Sequence, residues 1–428
     1  MTKPKTLAEA LGVEGTLVMP DEQAMRYAFE RKLADPETQR ELFEAQLRGI
    51  KGIVIHNAKT EGEVRTALSD AKLSPVEYKP PKSTEAHFYA RETGYIHVVN
   101  SRGITRLRRD ESLAKALQYF LPQPIAVDVS NHEHHRRKAN DRFELFAFNL
   151  VDDIFTNMDK GMVSANGRVN LLFGPHGSID DALNSADVRV VHGTSSDYLN
   201  YRIVVVATNG KPELVVNFDY IFADQAKDVL HKFYKGMAAE FSRQDIDVHV
   251  LHYGKVGILD PATNVGDLVV PVGAIDEEKL QSAVRSGELV PPNLIIKNQL
   301  ASNPKVREIF YALNEGRIHT GLTVNTNSVL EQTVQSLQTD LQAGGLSLDM
   351  EWIVMASLDA GSESTYPGIG TIRYFFAGVG SDKPLKGQTL GNTEYPGKVE
   401  QKVADSLLKI IGQSHDVYGT KRAPVGDA

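Results

Sequence analysis

Apolar runs alternate with amphipathic stretches along the second half of the chain. The runs Tyr201–Ala207 and Leu214–Asn217 consist largely of Val, Ile and Leu, which is typical of strands covered on both faces. Val399, Val403 and Leu407 recur at the spacing of one helical face. This alternation predicts an α/β domain with a central twisted mixed sheet flanked by helices.

The first part of the chain predicts a smaller α/β domain. Glu22–Leu33 and Pro36–Leu47 are charge-rich and are predicted to be helices. The runs His87–Arg91 and Tyr95–Asn100 flank Thr93-Gly94, an arrangement that predicts a β-hairpin. We therefore divide the chain into an N-terminal α/β domain of unknown or regulatory role (1–165), a main α/β domain (166–412) and a flexible tail (413–428).

Composition narrows the classes of function. The 428 residues are 41% hydrophobic and 24% charged, as in ordinary globular proteins. A formal net charge of -8 argues against a nucleic-acid partner, because such proteins carry a basic surplus. The absence of cysteine excludes disulfides, thiolate metal sites and a cysteine nucleophile. No signal-peptide pattern and no run of about 20 apolar residues occurs, so we expect a soluble, cytoplasmic protein without a membrane partner.

The first segment of chemical interest follows a predicted strand, Val248–Tyr253. Gly254 and Gly257 come directly after it, and a Gly266-Asp267 turn leads into the next predicted strand. Glycine lets the backbone come close to a ligand because it has no side chain. We therefore predict that this strand ends in a glycine-bearing turn at a binding site.

Two further segments place carboxylates directly after predicted strands. One contains Met350-Glu351 and the other Ser381–Lys383. A carboxylate can accept hydrogen bonds from both hydroxyls of a sugar diol, and a carboxylic acid can protonate a leaving group. Taken singly, Glu351 also fits the first turn of a helix, and Asp382 fits a turn before Pro384.

In this order, the three segments resemble those of nucleoside phosphorylases. The string Ser-Asp-Lys-Pro-Leu, followed by a basic residue and glycine, is similar to AMP nucleosidases in particular. The resemblance covers about Val188–Gly412. It implies a catalytic domain that cleaves or binds the bond joining a purine to ribose. We expect no cofactor and no bound metal. It also implies a homo-oligomer built from dimers, commonly a hexamer.

The resemblance also implies roles for individual residues. Asp382 is the expected acid facing N7 of the purine, and Glu351 and Met350 are the expected ribose contacts. The other expected substrate-binding residues are Asn325, Asn327, Val329 and Leu330 along the base, His252, Lys255, Gly254 and Gly257 towards phosphate or the attacking water, and Ser381 and Lys383 beside the acid.

Some features depart from this family. Its members usually open the domain with a glycine-rich turn that touches phosphate, and we assign that position to Asn217–Asp224, which has no glycine. His252 and Lys255 stand where phosphorylases place arginine and serine, and neither has arginine's bidentate fork. Asp359–Gly368 is interpreted as an inserted loop. We therefore expect hydrolysis of a purine nucleotide or nucleoside, with phosphorolysis or purine-nucleotide sensing without cleavage as alternatives.

Two other segments permit more than one interpretation. Asn131–Lys138 contains three histidines and a glutamate, which fit a Zn²⁺ or Ni²⁺ site, a solvated basic patch or a contact to a nucleotide phosphate. Gly174–Ser178 is a glycine-containing turn after the predicted strand Val169–Phe173. It lacks the lysine that a Walker-type phosphate loop requires.

Overall fold

The structure is a computed structural model. It describes residues 6–57, 59–83, 85–100, 104–129, 134–183, 188–194, 199–208, 211–219, 221, 223–314, 317–326, 328–357, 366–388 and 398–413.

The chain forms two compact units. The first comprises Met1–Phe146 and Asn327–Leu337, and the second comprises Ala147–Thr326 and Gln338–Ala428. The division therefore lies before the boundary at 165/166 that we placed from the sequence. It also returns a short segment of the second half to the first unit.

The first unit is built on a five-stranded sheet, ordered β2-β3-β4-β1-β5. β1 is parallel to β4 and β5, whereas β3 is antiparallel to β2 and β4. The β3–β4 pair confirms the predicted hairpin. The helices and strands up to the end of the first unit are α1 (Leu7–Leu11), α2 (Asp21–Lys32), α3 (Arg40–Gly49), β1 (Gly52–Asn57), α4 (Glu61–Asp70), β2 (Pro75–Tyr78), β3 (Ala86–Ala90), β4 (Tyr95–Asn100), α5 (Ile104–Phe120), β5 (Ala126–Val129) and α6 (His134–Asn157), which continues past Phe146.

The second unit contains a larger, mixed sheet of twelve strands flanked by helices, which confirms the predicted α/β class. Its elements are α7 (Lys160–Asn166), β6 (Arg168–Phe173), α8 (His176–Leu183), β7 (Val188–Thr194), β8 (Tyr201–Thr208), β9 (Lys211–Phe218), α9 (Ala223–Glu240), β10 (Ile246–Ile258), β11 (Leu268–Val269), β12 (Gly273–Asp276), α10 (Glu277–Ser286), β13 (Ile296–Lys297), α11 (Pro304–Leu313), β14 (Ile318–His319), β15 (Leu322–Asn325), α12 (Val334–Gln342), β16 (Gly345–Asp349), α13 (Trp352–Ala356), β17 (Ile369–Asp382) and α14 (Lys398–Gly412).

Strand β10 is the centre of this sheet. It is parallel to β6 and β17 and antiparallel to β16. The part of β17 from Tyr374 to Asp382 is buried without interruption, as expected of a strand covered on both faces. The two long strands thus carry Gly257 and Asp382 to the same end of the sheet.

Local signals fix the ends of several helices. Asn303 accepts a hydrogen bond from the backbone N–H of Lys305 at 2.9 Å and precedes Pro304 at the first turn of α11, so this helix starts with a favourable cap. Val403, Leu407 and Ile411 of α14 are buried in the main apolar cluster of the second unit. Within the described ranges, no helix combines the length and apolar character that crossing a bilayer demands.

Candidate active site

The two predicted acidic segments flank one glycine of the central strand. Gly257 of β10 is in register with Asp382 of β17 on one side and with Leu348 of β16 on the other. Neighbouring strands lie about 4.8 Å apart, so Asp382 and Leu348 are separated by about 10 Å. The turn with Met350 and Glu351 follows Leu348 directly. The structure therefore places the two segments on either side of Gly257, and the antiparallel β16 leads the Met350-Glu351 turn back along β10 from that glycine.

The register between β10 and β17 shifts directly before Asp382. Val256 pairs with Gly380, but Gly257 pairs with Asp382, so Ser381 is an extra residue in β17. The hydroxyl of Ser381 lies 3.1 Å from the Val256 carbonyl oxygen and 2.5 Å from Oδ1 of Asp382. Bulges of this kind commonly redirect a side chain beside an active site. Ser381 thus supports Asp382 from within the strand.

Asp382 is a buried carboxyl group. Only 4% of it is exposed, and this burial raises its pKa to about 6, although the Ser381 hydrogen bond acts in the opposite direction. Burial favours the neutral form because a carboxylate loses hydration inside the protein. Asp382 therefore holds a proton far closer to neutral pH than an ordinary aspartate does.

Asp349 fixes the turn that carries Glu351. Its Oδ2 accepts the backbone N–H groups of Glu351 at 2.8 Å and Trp352 at 2.7 Å. Asp349 thus holds the start of α13, and Glu351 is buried directly before that helix. Met350 is half-buried in the same turn. Asp349 was not among the residues predicted from the sequence, although its place before Met350-Glu351 is a usable signal for a side chain that accepts from the following N–H groups.

His252 lies in an aromatic cluster. Its ring is 6.2 Å from Trp352 and 6.5 Å from Phe376, which stacks on Trp352 at 5.3 Å. Burial lowers the pKa of His252 to about 3, so the imidazole is neutral near pH 7. The structure therefore gives His252 no positive charge with which to hold phosphate.

Gly254, Lys255 and Gly257 lie within β10, not in a turn after it. Gly254 faces Gly378 of β17 in register, and Lys255 is exposed. The prediction that the strand ends at Tyr253 is wrong, because β17 continues alongside β10 through this stretch. The predicted Gly266-Asp267 turn does form, with Gly266 at a φ of 87°.

Asn325 ends the middle strand of a parallel group. It is in register with Asp276 of β12 and Asp349 of β16. Ligands of open α/β sheets bind beyond the carboxyl ends of such strands. Asn325 is 7% exposed, and its Oδ1 has no hydrogen-bond partner among the described residues. This buried acceptor is available to a ligand that donates a hydrogen bond.

The rest of the predicted base-binding segment is placed differently. Asn327 is outside the described residues. Leu330 is buried in the apolar cluster of the first unit, and Val329 packs against that cluster. Both residues belong to the first unit, which the chain enters after Thr326, whereas Asn325 belongs to the second unit.

Lys383 donates its hydrogen bonds to groups of the protein. It is 8% exposed, its Nζ donates to the Pro261 carbonyl at 3.2 Å, and its backbone N–H donates to Oε1 of Gln388 at 3.1 Å. The structure thus places Lys383 as a support for the chain after Asp382. An apolar depression elsewhere in the second unit, lined by residues including Val272, Val306 and Phe310, contains neither predicted carboxylate.

The glycine turn that opens the large sheet follows β6, the first of its strands. A Cβ atom on Gly174 would lie 2.0 Å from Cε1 of Tyr253, and the Tyr253 hydroxyl donates to the Pro175 carbonyl at 3.1 Å. Only glycine permits this approach. Residues 217–224 instead run from the end of β9 to the start of α9, and their assignment as the family's opening turn stays a prediction.

Most of the predicted metal-binding segment lies outside the described residues. Residues 131–133 are not described, and the same holds for the side chains of residues 134–138. Among the side chains that are described, no three histidines or carboxylates converge as a metal site would require.

Comparisons with known proteins concern the fold. No family model and no curated protein sequence matches this chain. It resembles the purine nucleoside phosphorylase of Toxoplasma gondii in complex with immucillin-H, at 14% identity and a TM-score of 0.38, over 58% of this chain and 92% of that one. It also resembles the purine nucleoside phosphorylase of Schistosoma mansoni, at 16% identity and a TM-score of 0.40, over 61% and 95%. A third likeness is to the futalosine hydrolase of Helicobacter pylori strain 26695, at 14% identity and a TM-score of 0.39, over 57% and 97%. At these identities and TM-scores, the function has to be inferred from the residues of this chain.

Proposed function

We propose that this protein hydrolyses the N-glycosidic bond of a purine nucleoside or nucleotide, releasing the free base and ribose or ribose 5-phosphate. The observation that carries the proposal is Asp382. Asp382 is a buried carboxyl group whose pKa is raised to about 6. It is paired with Gly257 of β10, and the strand on the other side of that glycine leads into the Glu351 segment. The resemblance of these segments to nucleosidases supports the same reaction.

The reaction needs an acid at the leaving base. When the bond from C1′ to N9 breaks, the electron pair stays on the purine, and Asp382 donates its proton to N7. Positive charge develops on the ribose in an oxocarbenium-like transition state. Water attacks C1′ and becomes the sugar hydroxyl, and the proton that it loses returns through solvent to the Asp382 carboxylate. The proton held by Asp382 lowers the barrier because the base then departs without negative charge.

Three other groups suit the substrate. The Glu351 carboxylate can accept hydrogen bonds from both hydroxyls of the ribose, and its backbone is held by Asp349. The Asn325 Oδ1 atom is buried without a partner among the described residues, so a donor on the base or sugar satisfies it. Met350, half-buried in the same turn, supplies an apolar surface for the ribose.

Water is the nucleophile that we favour. The predicted phosphate contacts in β10 are His252 and Lys255. His252 is buried and neutral because its pKa is lowered to about 3, and Lys255 is exposed. A phosphate nucleophile requires local positive charge, whereas hydrolysis does not.

Release of a free base tests the proposal. The full chain is incubated with AMP, adenosine, inosine or guanosine, each with and without inorganic phosphate, and the products are separated by chromatography. We expect free purine at the same rate in both conditions, together with ribose or ribose 5-phosphate. Release only with phosphate would identify a phosphorylase. Binding of a purine nucleotide without release would identify a sensor and overturn the enzymatic proposal.

A further inference from the structure

Two acidic side chains of the second unit lie on either side of one amide group. Glu277 is the first residue of α10, and Asp340 lies in the last turn of α12. The Nε2 atom of Gln281 lies 3.0 Å from Oε1 of Glu277 and 3.4 Å from Oδ1 of Asp340. A primary amide has two N–H donors, so Gln281 donates one to each acid and holds the two carboxyl groups close together.

The surroundings of Asp340 disfavour a negative charge. Its side chain is fully buried, and its Oδ2 atom has no hydrogen-bond partner among the described residues. Within the described part of the chain, the charged groups that act on the two carboxyl groups are themselves acids. Glu277 acts on Asp340, and Asp276 and Glu278 act on Glu277. Because a buried carboxylate needs a compensating partner, this environment favours a protonated Asp340.

The pair therefore shares one proton near neutral pH. Burial, and then the charge of Glu277, raise the pKa of Asp340 to about 7, and burial also raises the pKa of Glu277. Carboxyl groups that lie this close titrate together, because ionisation of one disfavours ionisation of the other. As the pH rises through about 7, the proton leaves to solvent. Two negative charges then face each other across Gln281.

The pair adjoins the strand end that carries Asn325. Glu277 directly follows Asp276, which is in register with Asn325 across β12 and β15. The Thr326 hydroxyl faces the Glu277 carboxyl group and stabilises its charged form. Asn325 and Thr326 are consecutive residues. A displacement of Glu277 therefore reaches Asn325 through one neighbouring residue on each strand.

We propose that Glu277 and Asp340 are positioning residues, which fix Asn325 and Thr326 for the purine nucleoside while they share one proton and release them when that proton is lost. The inference rests on the proposed function, in which the buried Oδ1 atom of Asn325 accepts from the substrate. Repulsion between the two carboxylates moves the first turn of α10 away from α12, so Thr326 loses its partner. Binding of the substrate therefore weakens above neutral pH, independently of the acid Asp382.

The first experiment measures nucleoside binding by calorimetry at pH 6 and pH 8. The full chain carries Asp382→Asn, so that turnover is slow and the acid whose pKa is about 6 is removed. The ligands are adenosine and guanosine, which neither gain nor lose a proton between these pH values. We expect the dissociation constant to rise about tenfold more from pH 6 to pH 8 in this protein than in one that also carries Asp340→Asn, a usual size for coupling between two sites.

The comparison isolates Asp340 from other acids. Asp349, whose pKa burial raises to about 6, is present in both proteins and contributes equally to each. The matched control adds Asp152→Asn, which changes an exposed aspartate of α6, and it should keep the full rise. Circular dichroism checks that the variants fold. If Asp340→Asn does not fold, Glu277→Gln removes the same repulsion and carries the same test.

A second measurement tests the proton without a ligand. Between pH 5 and pH 7 the unfolded chain ionises Asp340, whereas the folded protein keeps its proton. The urea midpoint of the unaltered protein, followed by the fluorescence of Trp352 in the second unit, should therefore fall by about 0.5 to 1 M relative to that of Asp340→Asn. An unchanged difference overturns the proposal.

The outcomes separate this inference from the proposed function. If the nucleosides bind and the rise from pH 6 to pH 8 is the same with and without Asp340→Asn, or if Asp152→Asn removes it equally, only the positioning role fails. If neither nucleoside binds at either pH and no purine is released, the proposed function fails, and the positioning role fails with it.

Discussion

At the scale of the residue, Asp382 should determine turnover. Asp382→Asn keeps the shape of the side chain but cannot donate the proton. We expect kcat to fall about 10²–10⁴-fold, as for loss of other general acids, with KM changed little because the ground state is still bound. Purine release measured over a range of substrate concentrations gives both constants.

The control for this variant is Asp152→Asn, which changes an exposed aspartate of α6 and should leave both constants unchanged. If Asp382→Asn releases purine as fast as the unaltered protein does, Asp382 is not the acid.

The raised pKa of Asp382 also predicts how stability depends on pH. The folded-state pKa is about 6 against a usual 3.8. The contribution of Asp382 to the free energy of unfolding is therefore complete below about pH 3.8. It is lost as the pH rises through 6, because the folded protein must then bury a carboxylate. The total is about 3 kcal/mol, of which about 1.5 kcal/mol falls between pH 5 and pH 8.

Asp382→Asn does not ionise, so its stability relative to the unaltered protein should rise by about 1.5 kcal/mol from pH 5 to pH 8. Urea unfolding at the two pH values measures the difference. If the difference in stability between the two proteins is the same at pH 5 and pH 8, Asp382 has an ordinary pKa in the folded protein.

At the scale of the element, the sequence predicted strand cores better than strand lengths. Val248–Tyr253 lies within β10, but the strand runs on to Ile258. Glycine and lysine in Gly254–Gly257 are typical of turns, and nothing local shows that β17 pairs with them. Pairing with a distant strand overrode local propensity here.

Two glycines beside these strands should respond differently to alanine. A Cβ on Gly174 would lie 2.0 Å from the buried ring of Tyr253, so Gly174→Ala should destabilise the fold by about 1–3 kcal/mol or more. A Cβ on Gly257 would lie 3.3 Å from Pro384 and 3.6 Å from Leu348, so Gly257→Ala should cost less than about 1 kcal/mol.

Gly257→Ala should nevertheless lower the rate of purine release at least about tenfold. The added methyl group lies between Asp382 and the Glu351 segment, and a small misplacement of reacting groups lowers the rate strongly. Urea unfolding and turnover are measured on both variants. Equal loss of stability in the two variants, or full activity in Gly257→Ala, would contradict the placement of the site over Gly257.

At the scale of the whole molecule, the alternation of apolar runs predicted the α/β class, because the hydrophobic periodicity of strands and helices is a local property of the sequence. The order of Met350-Glu351 and Asp382 predicted that these residues meet, and the structure pairs their two segments with the same residue of β10, Gly257. The return of Asn327–Leu337 to the first unit was not predictable, since Val329 and Leu330 are apolar in any context.

The two units have separate apolar clusters, and we expect them to unfold in separate steps. Asp110→Asn leaves the fully buried Lys32 without the carboxylate 2.5 Å away, and removal of one partner of a buried pair costs about 3–5 kcal/mol. The single tryptophan of the chain, Trp352, is buried in the second unit. Its fluorescence therefore reports that unit, whereas far-ultraviolet circular dichroism reports both.

In urea, Asp110→Asn should lose part of its circular dichroism signal early, while the midpoint of the Trp352 transition stays where it is in the unaltered protein. Asp70→Asn, at the exposed end of α4, is the matched control and should move neither signal. If the fluorescence midpoint of Asp110→Asn shifts together with the dichroism, the two units unfold as one cooperative body. The loss of the buried charge pair would then destabilise the candidate active site as well.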